Sequence, residues 1–179
     1  MNWLALGSAA GSGMAPADWF IMAMAYRATI QLALFALLLL AAWRVGAGPE
    51  RACAIILGMM PLADALYHVL FKPLSNLSSV EPGHLTIDLA AALALGWIAL
   101  HANRTYPLWM AAFQLLALQA HVARLIAAEI SPIAYFTMQV APSYFQIVVL
   151  AVGIWCHRQR TLRHGRYRAW RHEDRPALP

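Results

Sequence analysis

The stretch ATIQLALFALLLLAAW, residues 28–43, decides the fold class. Its one amide is Gln31, and it holds no ionisable group. Extended back to Trp19, the segment reaches the roughly 20 apolar residues that cross a hydrocarbon core about 30 Å thick. Arg44 and a turn at residues 46–49 end it.

Four more stretches of the same kind follow, at residues 52–71, 84–102, 107–128 and 132–156. Lys72-Pro73 stops the second, and a polar loop at 75–82 leads to the third. Asn103-Arg104 closes the third, Pro107 suits the first turn of the fourth, and Ser131-Pro132 opens the fifth. Composition agrees, with 61% hydrophobic and 12% charged residues. Soluble domains carry about 25% charged residues. The expected fold is an all-α membrane protein, a bundle of about five transmembrane helices with short antiparallel connections. It divides into a flexible or interfacial lead-in (1–18), the bundle (19–156) and a basic tail (157–179).

Lys and Arg collect on cytoplasmic flanks. Of the 13 Lys and Arg residues, Arg158, Arg160, Arg163, Arg166, Arg168, Arg171 and Arg175 follow the last span. This predicts a cytoplasmic C-terminus and, with five spans, an N-terminus outside. Arg44, Arg51 and Arg104 then fall on the cytoplasmic side as well. The tail is expected to lie on anionic headgroups or to dock a partner subunit through Arg158, Arg160, Arg163, Arg166, Arg168 and Arg171.

Counting inward from the outer helix ends brings the polar residues to one level. Arg27 and Gln31 lie on the first helix, Asp64 and His68 on the second, His84 and Asp88 on the third. Gln114, His121 and Arg124 follow on the fourth, and Tyr135, Gln139, Ser143 and Gln146 on the fifth. Spacings of three, four and seven put each set on one helix face. An ionised side chain at the bilayer centre costs about 2.5–3.5 kcal/mol. The predicted intramembrane cluster therefore turns inward: Arg27, Asp64, His68, His84, Asp88, His121, Arg124 and Gln139. Two readings stay open, interhelical fasteners or a site for a proton, ion or small polar ligand.

His68, His84 and His121 come from three helices, and Asp64 or Asp88 could complete a metal site or orient an imidazole. Two facing histidines would suffice for haem. No HExxH, CxxCH, nucleophile elbow or phosphate-cradling loop occurs, so no catalytic residue is assigned. The expected cofactor is none, with haem, pigment or metal as alternatives. Cys53 and Cys156 read as small buried apolar residues. Trp19, Trp43, Trp97, Trp109 and Trp155 fall near span ends, as an aromatic belt does. His101 reads as an interfacial residue, and Asn76-Leu77-Ser78 as a weak glycosylation sequon.

Several motifs carry a resemblance: Leu66-Tyr67-His68, Glu81-Pro82-Gly83-His84-Leu85-Thr86-Ile87-Asp88, Ala102-Asn103-Arg104-Thr105-Tyr106-Pro107-Leu108-Trp109, Ala120-His121-Val122-Ala123-Arg124, Ala141-Pro142-Ser143-Tyr144 and His157-Arg158-Gln159-Arg160. Over residues 20–175 the chain resembles small multispan inner-membrane proteins of alphaproteobacteria, a group without assigned activity. The resemblance implies a bacterial inner-membrane location and no mechanism.

The expected function is a non-enzymatic accessory or stabilising subunit of a larger energy-transducing, respiratory or photosynthetic membrane complex. One alternative is a small proton- or ion-coupled transporter or channel using the outer-leaflet Asp/His/Arg site. Another is a His-ligated haem, pigment or metal protein. Expected partners are lipids and other membrane subunits or further copies of the chain, and not nucleic acid.

Overall fold

The structure, a computed structural model, describes residues 16–71, 82–127, 132–165 and 167–171. The lead-in before residue 16, Lys72, the sequon, Arg166 and the tail beyond 171 lie outside the described residues. Five helices make up nearly all of the rest: α1 (Pro16–Val45), α2 (Gly48–Phe71), α3 (Pro82–His101), α4 (Tyr106–Ile126) and α5 (Pro132–His164). All five are long and apolar enough to cross a membrane. The chain is an all-α, multi-pass membrane protein. Among the described residues the one extended pairing is an isolated bridge between Ala102 and Trp170.

Two compact units divide within α1, after Leu34. The first contains the α1 residues up to Leu34, Arg27 and Gln31 among them, one turn apart. In the second unit α3 packs between α2 and α4, and α4 packs most extensively on α5. Helix α5 also touches α2. This is the sequential antiparallel arrangement that short turns impose.

The core of this unit is apolar and closely spaced. Leu57, Leu95, Met110 and Leu150 are fully buried, and Ala91, Ala92, Ala99, Ala117 and Ala120 let the backbones approach. Large apolar side chains also cover the outside, including Ile55, Leu62, Val69, Leu93, Leu116 and Val152. A water-soluble bundle would not leave such faces uncovered. Acyl chains solvate them instead. Helix α2 runs through Pro61 and α5 through Pro142, each proline removing one backbone donor, a change membrane helices tolerate when neighbours re-satisfy the ladder.

The helix ends depart from expectation in one instructive place. The fifth helix was expected to stop at Cys156, but α5 continues to His164. Its last turns carry Arg158, Arg160 and Arg163, which give a helix no reason to stop because long basic side chains are good helix formers. Gly165 ends it in the left-handed conformation, φ 74°, and its N–H donates to the Thr161 carbonyl at 2.9 Å. Trp43, Trp97, Trp109 and Trp155 are all exposed near the same end of four helices, the girdle that marks a membrane–water boundary. Beyond Trp155, α5 rises about 13 Å further at 1.5 Å per residue. Cys156 is exposed rather than buried, while Cys53 is buried, and both thiols are free.

Candidate functional site

Three polar clusters organise the second unit. The most enclosed lies where α3, α4 and α5 meet. Asp88, on the first turns of α3, faces His121 near the end of α4, with His121 Nε2 2.9 Å from Asp88 Oδ2. The Gln114 amide donates to Asp88 Oδ1 at 2.9 Å. Gln146 on α5 donates to Gln114 Oε1 at 3.0 Å and to the Met110 carbonyl at 3.1 Å. On the other side of the imidazole, the Tyr135 hydroxyl is 2.9 Å from His121 Nδ1. The Gln139 amide lies 3.2 Å from Nε2. Arg124, one turn beyond His121, sets its guanidinium 5.7 Å from the centre of the Tyr135 ring.

The spacing within each helix explains the convergence. Gln114, His121 and Arg124 share one face of α4, and Tyr135, Gln139 and Gln146 one face of α5. Both faces turn inward: His121 is 0% exposed, Gln114 and Gln146 are each 1%, and Asp88 and Arg124 are each 7%. Ser143, on the same α5 face, donates to the Val140 carbonyl at 2.7 Å. The Asp88 and Tyr135 contacts together suit one imidazole tautomer. A proton on Nε2 serves the carboxylate, and Nδ1 then accepts from the tyrosine hydroxyl. The result is a line of exchangeable protons, Tyr135–His121–Asp88–Gln114–Gln146, inside three membrane-spanning helices.

The second cluster sits at the same end, between α2 and α3. Asp64 Oδ1 is 2.7 Å from His84 Nε2 and 3.6 Å from His68 Nε2. The two imidazole centroids are 5.3 Å apart. These side chains are half-buried, between 32% and 40% exposed. The sequence spacing put Asp64 and His68 one turn apart on α2, and His84 and Asp88 one turn apart on α3. Helix α3 thus belongs to both clusters, giving His84 to one and Asp88 to the other. His121, grouped by sequence with the other two histidines, belongs with Asp88. Arg27 and Gln31 belong to the first unit and are described there alone.

The third cluster, at the opposite end, was not expected. Glu50 opens α2 and is 0% exposed. Its Oε1 accepts from Arg104 Nε at 2.8 Å, and its Oε2 accepts from the Ala47 N–H at 3.0 Å. Arg104 Nη2 lies 3.1 Å from His157 Nδ1, which is 2.9 Å from the Tyr167 hydroxyl. The Tyr167 ring lies under the Arg104 guanidinium at 4.4 Å and near that of Arg160 at 5.3 Å. Residues Tyr167–Arg171 are thus docked against the helix ends. The Asn103 N–H donates to the Ala169 carbonyl at 3.1 Å, and the Arg171 N–H to the His101 carbonyl at 2.9 Å. Arg171 Nε donates to the Ala102 carbonyl at 3.1 Å. The Trp170 indole lies so close to Gly48 that no Cβ would fit there. Arg158, Arg163 and Arg168 stay exposed on the surface around this end. His101 stacks on Trp97 at 4.4 Å, an interfacial position.

In the sequence Arg104 carries a topology signal, and its pairing with Glu50, 54 residues away, is set by the fold. Glu50, in the first turn of α2, and Arg104, between α3 and α4, lie on the same side of any five-span topology, and a lone acid among bases there is the signal that could have found the pair. Leu57, Leu95, Met110 and Leu150 separate the two ends, each lying along its helix between the polar groups. The Asp88 network therefore reaches about half depth from one end, through Gln146, and stops at an apolar layer. Against protein-family models, curated proteins and solved structures the chain has no match.

Proposed function

We propose that the chain is a small proton carrier whose Asp88–His121 pair takes up and releases a proton near one end of the bundle. One observation carries the reading. A carboxylate and an imidazole, 2.9 Å apart, are enclosed within membrane-spanning helices and joined to further exchangeable protons. Ionisable groups are kept in such places at a cost, and proton relays are among their commonest uses. Tyr135 and Gln114 orient both groups. The apolar layer beyond Gln146 supports a carrier over an open pore, because a wire of polar groups does not run from end to end. In the preferred orientation the Asp88 end faces outside a bacterial inner membrane and the Glu50 end faces the cytoplasm. The arginines near the Glu50 end support that choice.

The test uses the full chain in proteoliposomes with an imposed pH gradient and a potassium diffusion potential. Wild-type vesicles should dissipate the gradient faster than Asp88→Asn or His121→Gln vesicles, and faster than protein-free ones. Equal rates in all of them would remove the proposal.

A role as a subunit of a larger membrane assembly has one observation in its favour. Only 11% of the α2 span is buried, against 33–39% for α3, α4 and α5. A partner helix would cover that face. Mild detergent extraction followed by mass measurement of the intact complex distinguishes a lone chain from an assembled one.

A further inference from the structure

The geometry points to a divalent transition-metal site at Asp64, His68 and His84, distinct from the Asp88–His121 pair and independent of the carrier reading. The three side chains each offer one ligand atom, and those atoms all lie within 4.8 Å of one another. The donor set is two imidazole nitrogens and one carboxylate oxygen. Zinc takes such ligands at about 2.0–2.2 Å, which spaces tetrahedral donors roughly 3.3 Å apart. The observed separations from Asp64 Oδ1, 2.7 Å to His84 Nε2 and 3.6 Å to His68 Nε2, bracket that value. Both imidazoles present Nε2 to one carboxylate oxygen. A single ion placed among the three satisfies all of them at once. Imidazole donors favour zinc and its first-row neighbours over magnesium or calcium, which take oxygen ligands.

The surroundings hold the donors in place from two helices. Asp64 and His68 are one turn apart on α2, so their spacing is set by the helix itself. The distance to His84 is set by contact between Tyr67 and Gly83. The tyrosine ring occupies the space where any Cβ on residue 83 would stand. His68 and His84, the next residues along the chain, are thereby brought side by side, their ring centroids 5.3 Å apart and their planes tilted by 56°. The Tyr67 ring also flanks both imidazoles, its centroid 5.7 Å from His68 and 6.3 Å from His84. Its tilted contact with Phe71 at 5.3 Å extends an aromatic wall beside the donors. The partial exposure of Asp64, His68 and His84 gives the ion a way in, and three protein ligands leave a fourth position for water or an exchanging ligand. An ion here would tie α2 to α3 one helical turn from Asp88.

The test uses the untagged full chain in detergent, stripped with chelator and titrated with zinc against a competing indicator. One equivalent should bind to wild type. His84→Ala and Asp64→Asn should each weaken binding at least tenfold, and His68→Ala/His84→Ala should abolish it. Gln114→Leu, in the buried network, should leave it unchanged. Cobalt supplies an optical signature. Wild type should show the intense visible bands of a four-coordinate site, and the double variant should not. Thermal melts of the metal-free variants establish that each has folded. Zinc binding equal in wild type and a folded double variant, or cobalt spectra that do not differ between them, would overturn the site.

Discussion

Replacing Glu50 with alanine isolates the ion pair that the sequence left hidden. The carboxylate is 0% exposed and its partner side chain 4%, at a separation of 2.8 Å. At an effective dielectric constant of 20, the attraction at that distance is about 6 kcal/mol, and desolving the two ions offsets much of it. The net worth of the pair is therefore small, but breaking it is not. Truncating one partner of a buried pair typically costs about 3–5 kcal/mol, because the other charge stays buried without compensation. The Ala47 N–H loses its acceptor too, adding about 1 kcal/mol. Arg104 keeps the Tyr167 ring at 4.4 Å, which leaves the stranded guanidinium partly compensated and places the loss toward the low end of that range. The expected loss is about 3 kcal/mol. For a chain of this length that lowers Tm by about 6–12 °C. The protein carries its own reporter, since Cys53 lies one turn from Glu50 on α2 and is 0% exposed. A fluorogenic maleimide that labels Cys53 on unfolding reads the transition, in a Cys156→Ser background because Cys156 is exposed. Replacing both partners, as Glu50→Leu/Arg104→Met, should recover most of the loss. If Glu50→Ala melts within about 2 °C of its parent, or the double variant melts as low as the single one, the argument from a stranded charge is wrong.

Two further outcomes follow from other contacts. Gln146→Leu removes the donor to both Gln114 and the Met110 carbonyl, which should cost about 0.6–2 kcal/mol given the modest worth of interhelical hydrogen bonds in membranes; a thermal melt of the purified variant checks it, and an unchanged Tm would show that the network carries no stability. Trp170→Ala should free the segment Tyr167–Arg171 from Gly48 and the α3–α4 turn, so that trypsin cuts after Arg168 several-fold faster than in wild type, read by mass spectrometry of the released peptide.

Much of the architecture is legible in the chain itself. Runs such as residues 28–43 and 84–102 hold few enough polar groups to read as membrane-spanning helices, because transfer of apolar surface from water outweighs local preference. The facing of the polar residues is legible too, since a period of 3.6 puts Gln114, His121 and Arg124 on one stripe whatever the neighbours are. Partner choice is not written there. His68, His84 and His121 have equal claim to one another on paper, yet packing gives His121 to Asp88 and the other two to Asp64. The deciding contact is a steric one, Tyr67 against Gly83, which sets how closely α2 and α3 approach. The same holds for the end of α5 and the docked residues after it. Composition marks residues 157–171 as basic, but only the tertiary structure shows Tyr167 and Trp170 turned back onto Arg104 and Gly48. Contacts between distant parts of the chain depend on distances of a few ångströms, and a one-dimensional pattern of charges fixes depth and face without fixing distance.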